Sequence, residues 1–298
     1  MNLADIRIAL AVSRFGSLSA ASEALGISQP TLSKAIARLE REEKIKIFER
    51  MARGMRPTEL GQTFLAYAQK LDLHAADLYG ALRDLRQSKA GTLRLGIGQG
   101  VPNRYVATVA QAITASGVTL DLSGGMTDSL QRSVAIGDLE FALIGLTKPP
   151  ENGLRWIPIR DDPMQPIAPV SLPIARQRSE IQWGELAKAR WIVPAPGTAS
   201  FQEFERNFRD RGVERPVPIV ASRNSNREIG LALALDAIVL ITRSLAEEDD
   251  VASRFKLIRP AGGWRSKRKL VLVHREGGYL SPAAKKSLET IRQTLAAA

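Results

Sequence analysis

The sequence contains no cysteine, and this absence excludes two kinds of site. Without thiols the chain cannot form disulfide bridges, and it cannot hold zinc through cysteine ligands. Only two histidines are present, and they do not stand at a metal-binding spacing from each other. A histidine-based metal site is therefore not expected, and no cofactor is predicted.

Long apolar runs are also missing. No stretch of about 18 or more apolar residues occurs, so no membrane-spanning helix and no membrane partner are predicted. The N-terminal segment MNLADIRIALAV lacks the basic start, the continuous apolar centre and the small-residue cleavage site of a signal peptide. We therefore expect the chain to be cytoplasmic.

Acidic residues are fewer than basic ones. The chain has 31 Asp and Glu against 42 Lys and Arg, a net charge of +11. Such an excess favours a polyanionic partner, and nucleic acid is a better candidate than a membrane surface. The alternative is a basic soluble protein without such a partner. The length of 298 residues and the 44% apolar content predict a globular protein with more than one folding unit.

Signatures of common enzymes are absent as well. The sequence has no Gly-x-Ser-x-Gly elbow and no Walker loop, and Gly98-Gln99-Gly100 lacks the third glycine of a dinucleotide fingerprint. The acidic runs 161–162 and 247–250 could serve acid–base chemistry or bind a hard metal. They lie in loop-like sequence without a partner histidine, so a solvated surface is favoured.

Residues 17–41 contain two short helical patterns separated by a glycine. Gly26 permits a sharp turn, and Ser28 can cap the second helix. The apolar residues of the second pattern, four and then three positions apart, are Leu32, Ile36 and Leu39. This arrangement predicts a helix-turn-helix, whose second helix can enter the major groove of DNA.

The polar face of the second helix carries groups suited to DNA. The Gln29 amide matches the N6/N7 pair of adenine, and Lys34 matches guanine acceptors or a phosphate. For any single residue, a solvated helix face would be the preferred interpretation. The combination of cap, turn, apolar stripe and basic face instead favours a DNA-binding helix. The predicted contact residues of this helix are Ser28, Gln29, Pro30, Ser33 and Lys34.

A hairpin is predicted directly after this helix. Residues 44–50 alternate as a strand, and a turn at 51–55 returns the chain. Arginines of such a wing could contact phosphates or the narrow minor groove. The candidates are Arg50, Arg53 and Arg56. The alternative is that Arg50 forms a structural ion pair with Glu40 or Glu42.

A long helix is predicted over residues 58–88, with Thr58 as its cap. From Leu71 to Leu85 its apolar residues follow a heptad-like spacing. At 1.5 Å per residue the helix spans roughly 45 Å, too long to pack wholly within a small winged domain. A partner helix is the favoured way to bury this seam; packing against its own chain is the alternative.

From residue 92 strands and helices alternate, which predicts a mostly parallel α/β sheet with helices on both faces. Proline-rich residues 162–173 predict a crossing into a second subdomain. Ligands of such sheets bind beyond the carboxyl ends of strands, at helix N-termini. The candidate effector-binding residues there are Gln99, Gly100, Thr127, Asp128, Thr198, Ser200, Phe201, Ser222 and Arg223.

The same helix N-termini, with Arg160 or Arg223, favour a small organic anion as ligand. The alternative, weighed equally, is that both arginines are structural or face solvent. The Ser200 hydroxyl is interpreted as a hydrogen-bonding group at a helix N-terminus rather than a nucleophile, because no base lies near it in sequence.

Several short motifs resemble the LysR-type transcriptional regulators. In the N-terminal part they are Phe15-Gly16-Ser17-Leu18, Ser28-Gln29-Pro30 with Ser33, Phe48-Glu49-Arg50 with Arg53, and residues 57–61. In the remainder they are residues 91–96, 137–143 and 280–284. The resemblance implies DNA contacts by Gln29, Pro30, Ser33, Lys34 and Arg53. It also implies a linker helix that pairs two subunits and a two-subdomain effector-binding domain like periplasmic binding proteins.

We therefore expect a winged helix-turn-helix in residues 1–58, a dimerisation helix in 59–89 and an effector-binding domain in 90–298. Subdomain I would comprise 91–162 and 268–298, and subdomain II 163–267. The expected function is a non-enzymatic regulator of promoter DNA controlled by a small-molecule effector. The expected assembly is a homodimer through the linker helix and a homotetramer, with a contact to RNA polymerase. The alternative is a small-molecule binding or catalytic α/β protein whose N-terminal domain serves only assembly.

Overall fold

The computed structural model describes residues 1–51, 54–86, 91–150, 153–222 and 225–297. The chain divides into two compact units, Met1–Gln87 and Ser88–Ala298. None of the helices in these ranges has the length and apolarity that crossing a bilayer requires.

The first unit is a helix-turn-helix followed by a hairpin and a long helix. Its elements are α1 (Leu3–Phe15), α2 (Leu18–Leu25), α3 (Gln29–Glu43), β1 (Phe48–Met51), β2 (Gly54–Pro57) and α4 (Glu59–Arg86). The hairpin begins later than the predicted residue 44, because Lys44 takes a left-handed conformation with φ 56° and ends α3. Left-handed residues of this kind commonly terminate helices.

Side chains cap α1, α3 and α4 of this unit, and the caps at Ser28 and Thr58 confirm the prediction. The Asn2 side chain accepts a hydrogen bond from the backbone N–H of Asp5, and Ser28 accepts one from Thr31. Thr58 accepts one from Gly61 at 2.9 Å. Gly26 has φ 64°, so it supplies the left-handed turn between α2 and α3.

An apolar core holds α1, α2, α3 and the hairpin together. It includes Val12, Ala21, Leu32, Leu39 and Ile47, each with no exposed surface. The predicted stripe of α3 therefore faces inward, and burial of each such side chain stabilises the unit by about 1.5–3 kcal/mol relative to exposure. This leaves the opposite face of α3 to solvent.

The second unit contains two five-stranded sheets. Its elements in chain order are β3 (Thr92–Gly98), α5 (Asn103–Thr114), β4 (Thr119–Gly125), α6 (Thr127–Ala135), β5 (Phe141–Leu146), β6 (Leu154–Asp161), β7 (Met164–Pro169), a short 3₁₀ helix (Pro173–Arg176), α7 (Trp183–Lys188), β8 (Trp191–Pro194), α8 (Ala199–Arg209), β9 (Val220–Ser222), α9 (Ser225–Ala234), β10 (Ile238–Thr242), α10 (Arg243–Ala246), α11 (Asp249–Ala252), β11 (Phe255–Leu257), β12 (Lys269–Arg275) and α12 (Pro282–Ala297).

The first sheet has the strand order β4-β3-β5-β12-β6, and the second has β11-β7-β10-β8-β9. Two of the four pairings in each sheet are parallel and two are antiparallel. The α/β class is confirmed, but the expectation of mostly parallel sheets is wrong. The antiparallel pairs involve β6, β7, β11 and β12, through which the chain passes between the sheets.

The chain crosses from the first sheet to the second between Asp161 and Met164. The proline-rich stretch after this crossing is largely strand β7 and not only a connection. Pro166 pairs with Leu240, and its carbonyl accepts a hydrogen bond from the Ile258 N–H at 2.9 Å. A proline lacks only the donor of a strand residue, so its carbonyl can still join the ladder.

Each sheet has its own apolar core. Tyr105 and Phe141 are fully buried in the core of the first sheet. Three of the four tryptophans gather at the second sheet, where Trp264 stacks between Trp183 and Trp191 with ring centroids 5.8 and 5.9 Å away. The two sheets therefore form two subdomains joined by the crossing segments.

Candidate functional site

The exposed face at the start of α3 carries the predicted DNA-contacting side chains. Ser28, Gln29, Pro30 and Lys34 are exposed, and Ser33 is half-buried. Gln29 Oε1 accepts a hydrogen bond from Ser19 Oγ at 3.2 Å, which fixes the amide against α2. The Gln29 amide nitrogen then points its donors away from this contact, where acceptors on a base edge could receive them.

Basic side chains of this unit differ in whether an acid neutralises them. Within the part of the chain that the structure describes, Lys34, Arg50 and Arg56 form no ion pair, so their charges are available to phosphates. Arg38, in contrast, is paired with the buried Asp5. Arg53 lies outside the described residues.

The alternative ion pair of Arg50 with Glu40 or Glu42 is wrong. Glu40 instead binds Lys46 at 2.9 Å and accepts the backbone N–H groups of Ile47 and Phe48 at 2.9 and 3.0 Å. Burial alone would raise the pKa of Glu40, but these hydrogen bonds hold it below its ordinary value. Glu40 therefore fastens the start of the hairpin to α3 and leaves Arg50 free.

The long helix α4 presents apolar side chains to solvent. Its start packs inward through Leu65 and Ala68. Beyond this point Leu71 and Leu78 are 49% and 59% exposed. A stripe of large apolar side chains that its own unit leaves uncovered is typical of a surface that binds another protein chain.

In the second unit a cleft of about 410 Å³ lies between residues of the two sheets. A volume of this size suits a small organic molecule. Seven predicted effector residues line it: Gln99, Gly100, Thr127, Asp128, Thr198, Ser200 and Ser222. They lie at the carboxyl ends of β3 and β9 and at the N-termini of α6 and α8. This is the placement expected from the strand-end rule, by which ligands of α/β sheets bind beyond the carboxyl ends of strands.

Two other predicted residues, Phe201 and Arg160, do not line the cleft. Phe201 is only 6% exposed, because its ring packs in the apolar core with Phe204. Arg160 donates a hydrogen bond to the Tyr105 hydroxyl and lies over its ring. Arg223 lies outside the described residues. Neither arginine is thereby placed on a ligand, and Phe201 is corrected to a core residue.

The cleft also contains side chains that the sequence did not indicate. They are Gln131, Thr147, Lys148, Gln202, Glu228, Thr242 and Arg268. No motif marks Arg268 or Glu228, since each reaches the cleft only through the folding of distant segments. Gly145 is the residue whose identity reflects the position of Arg268. Any larger residue there would place its Cβ 2.0 Å from Arg268 Nη2.

Arg268 lies at the cleft with a fixed orientation. Its Nη1 donates to the Asp162 carboxylate and, at 3.0 Å, to the Asp162 backbone carbonyl. Both side chains are buried, with 8% and 1% of their surfaces exposed. Nη2 lies on the side of Gly100, another cleft residue. The guanidinium therefore keeps donors for a ligand although its charge is balanced by Asp162.

Glu228 is the second buried charged group of the cleft. The residue is 2% exposed and stands in the first turn of α9. Burial raises the pKa of Glu228 to about 7, against a hydrogen bond with Ser222 that lowers it. Near neutral pH this carboxyl is therefore divided between its neutral and ionised forms.

Two helices begin at the cleft. Thr127 and Asp128 form the first turn of α6, and Thr198 caps α8 by accepting the Phe201 N–H at 3.2 Å. Helix starts carry unsatisfied N–H groups and favour negative charge. Among the described residues no group of three or more acidic or histidine side chains could hold a metal ion.

Comparison with known proteins gives matches over both units. A family model described as "LysR substrate binding domain" matches residues 86–296, and one for the lysR family of bacterial regulatory helix-turn-helix proteins matches residues 3–62. A RuBisCO operon transcriptional regulator from Allochromatium vinosum is 27% identical over 290 residues, 95% of this chain and 93% of that protein.

Two further matches agree with these. The HTH-type transcriptional regulator CbbR of Xanthobacter flavus is 25% identical over 254 residues, 82% of this chain and 75% of that protein. The crystal structure of CbnR, a LysR family transcriptional regulator, matches with a TM-score of 0.62 at 18% identity and covers 99% of both chains. At such identity the structural match shows the fold.

Proposed function

The chain belongs to the LysR family of DNA-binding transcriptional regulators, and we propose that α3 and the hairpin contact promoter DNA while a small effector binds the cleft. The observation that carries this proposal is the exposed start of α3, together with Lys34 and Arg50, which form no ion pair among the described residues. The family is one of regulators and not of enzymes, so the cleft is a site for binding rather than catalysis.

Contacts divide between base edges and backbone. Gln29 and Ser33 are short polar groups at the first turns of α3, where a recognition helix contacts bases. Lys34, Arg50 and Arg56 supply charge for phosphates, and Arg53 is kept as a wing contact from the family resemblance. Ser28 and Pro30 set the start of the helix, where the Ser28 cap fixes its first turn.

The exposed stripe of α4 supports a homodimer through this helix. Leu71, Leu78 and Leu82 recur at seven- and four-residue spacing and are all exposed. Pairing with the same stripe of a second copy buries them at coiled-coil spacing. Such a dimer places two α3 helices against two half-sites. A homotetramer and a contact with RNA polymerase complete the proposed assembly.

Control by the effector rests on the construction of the cleft from both subdomains. Thr127 belongs to the first sheet's helix α6, and Thr198 belongs to the second sheet's helix α8. A ligand that contacts both favours one relative orientation of the subdomains, by as much as its affinities for the two orientations differ. A changed orientation then alters how the dimer holds its DNA.

An anionic group in the effector is supported by two helix starts and two cationic side chains of the cleft. The helix starts at α6 and α8 favour negative charge, and Lys148 and Arg268 add cationic side chains. Arg268 takes the role that the sequence assigned to Arg160, and Arg223 stays a predicted effector contact. We therefore keep a small organic acid as the proposed effector class, with a different arginine.

A mobility-shift titration with the chain's own upstream intergenic DNA tests the function directly. The name of the Allochromatium vinosum relative makes a RuBisCO operon promoter a useful second probe. We expect specific binding that weakens as salt rises and that Gln29→Ala reduces. The proposal would be rejected if the affinity for the upstream DNA equalled that for unrelated DNA at every salt concentration and did not change in Gln29→Ala.

A further inference from the structure

Glu228 has no part in DNA binding, yet it places a buried carboxyl in the wall of the cleft. A buried charge is costly unless a partner compensates it. The only partner that influences its ionisation within the described structure is the hydroxyl of Ser222, another cleft residue. A hydroxyl supplies one donor, whereas an ionised carboxylate can accept about four hydrogen bonds.

Among the described residues, which leave out Arg223 just before α9, few groups near Glu228 could neutralise it. Helix α9 packs on β7, β8 and β10, and the sequences of these strands contain no titratable side chain. On α9 itself the neighbouring Arg227 is exposed. The other charged residues of the cleft are Asp128, Lys148 and Arg268, and Arg268 is already paired with Asp162.

The cleft thus holds two kinds of group. Arg268 has a guanidinium nitrogen near Gly100, and the start of α6 lies at the same cleft, so these groups suit an acidic end of a ligand. Glu228 and Ser222 instead suit an end that donates hydrogen bonds. A ligand acidic at both ends would meet a carboxyl at Glu228, which costs repulsion or protonation.

We infer that the effector is a bifunctional acid, an amino or hydroxy acid, whose amine or hydroxyl donates to Glu228 while its acidic group meets Arg268 and the start of α6. This rests on the proposed function, because it names the chemistry of the same cleft. Glu228 is then the residue that separates such acids from dicarboxylates of equal length.

A thermal-shift comparison of the full chain tests the inference with matched probes. The first set is γ-aminobutyrate, γ-hydroxybutyrate, succinate and butyrate, and the second is δ-aminovalerate, glutarate and valerate. Shorter members, β-alanine and malonate, complete the length series. Binding to the folded state raises the melting temperature. We expect an amino or hydroxy acid at one chain length to raise Tm more than the dicarboxylate of that length.

Glu228→Gln is the decisive variant, because glutamine has nearly the same shape and no charge. It should weaken the preferred probe roughly tenfold or more, the loss expected for a hydrogen bond to a charged group, and should remove the preference over the dicarboxylate. Glu185→Gln, on the exposed surface of α7, is the matched control and should leave both unchanged. Ser222→Ala gives a second variant that spares the carboxyl.

The pH dependence separates the two possible roles of the carboxyl. If ionised Glu228 accepts from the ligand, affinity for the preferred probe rises between one pH unit below and one above the pKa of about 7. If neutral Glu228 instead donates to a second carboxylate, the dicarboxylate binds more tightly than the amino or hydroxy acid of the same length below this pKa, and the inference is overturned.

Other outcomes are equally decisive. Equal or larger shifts with dicarboxylates, an unchanged preference in Glu228→Gln, or no shift from any probe would each overturn the inference. None of these results touches DNA binding, which the mobility-shift titration measures with no effector present. Loss of specific DNA binding there would reject the proposed function itself.

Discussion

Asp162 joins the two segments through which the chain passes between its sheets. Its carboxylate accepts a hydrogen bond from Arg268 Nη1 and another from the Ser244 backbone N–H at 2.9 Å. Asp162 follows β6 and Arg268 precedes β12, so one buried ion pair ties both crossings together beside the cleft. The relative orientation of the subdomains is therefore set beside the cleft.

Removing either partner of this pair should destabilise the second unit strongly. Asp162→Ala and Arg268→Ala each leave a buried charge unpaired, for which a cost of about 3–5 kcal/mol is expected. Denaturant unfolding followed by tryptophan fluorescence measures it, because three tryptophans lie in the second subdomain. The double variant Asp162→Ala/Arg268→Ala should lose less free energy of unfolding than the two single variants lose together.

Arg155→Ala is the control for that experiment. Its ion pair with Glu276 is exposed, with 66% and 49% of the two side chains in solvent. Exposed pairs contribute between about 0 and 1 kcal/mol. Equal losses from Arg155→Ala and Arg268→Ala would contradict the structural role assigned to Asp162.

Glu228→Gln should stabilise the protein in a pH-dependent manner. The raised pKa means that the folded state binds this proton more tightly than the unfolded state does. Ionisation of the buried carboxyl lowers the free energy of unfolding. This loss is absent below the usual pKa of 4.5, grows as pH rises and is complete above about 7. Its full size is about 3 kcal/mol.

Thermal unfolding on both sides of this range measures the difference. Below the lower value Glu228→Gln and the unchanged protein should melt alike, and above the upper value the variant should melt at the higher temperature. Glu185→Gln should follow the unchanged protein throughout. A variant that is less stable at high pH would show that Glu228 is compensated by a cation in the folded state.

Lys34 and Arg50 should contribute to DNA affinity through phosphates. Lys34→Ala and Arg50→Ala are each expected to lower the slope of log affinity against log salt by about 1. Filter binding or fluorescence anisotropy at several salt concentrations gives the slope. Lys188→Ala removes an exposed lysine from α7 in the second unit and should leave it unchanged. If Lys188→Ala lowered the slope equally, the change would reflect the net charge of the protein and not contacts by Lys34 and Arg50.

Leu71 and Leu78 should hold two copies together. A Leu71→Glu/Leu78→Glu variant places like charges in the proposed interface, so light scattering should show a smaller assembly than the unchanged protein forms. Gln69→Glu adds the same charge at an exposed position off the stripe and is the control. An unchanged mass for the double variant would move the dimer interface away from α4.

The sequence predicted elements whose signals are local. Ser28, Gly26 and the apolar stripe of α3 lie within a few residues of one another, and each acts through short-range geometry. The cleft residues at strand ends and helix starts were also predictable, because the strand-end rule depends only on the order of elements. Seven of these residues line the cleft.

Other features depended on packing between distant segments. Arg268 and Glu228 reach the cleft through the crossing of the two sheets, and no motif near either marks this. Phe201 was misplaced although Phe204 and Phe208 follow it at three and seven positions, a spacing that indicates one buried helix face. Strand β7 was missed because its prolines resemble those of a connection.

Selection of genomic fragments by the purified full-length protein tests the central claim most directly, namely that paired α3 helices bind specific promoter sequences. With excess competitor DNA, the account predicts enriched fragments that share two half-sites in inverted orientation, spaced by whole turns of the double helix. A Gln29→Ala/Lys34→Ala variant should lose this enrichment, and Lys188→Ala should keep it. Bound fragments with no shared sequence, or equal enrichment by the double variant, would contradict the account.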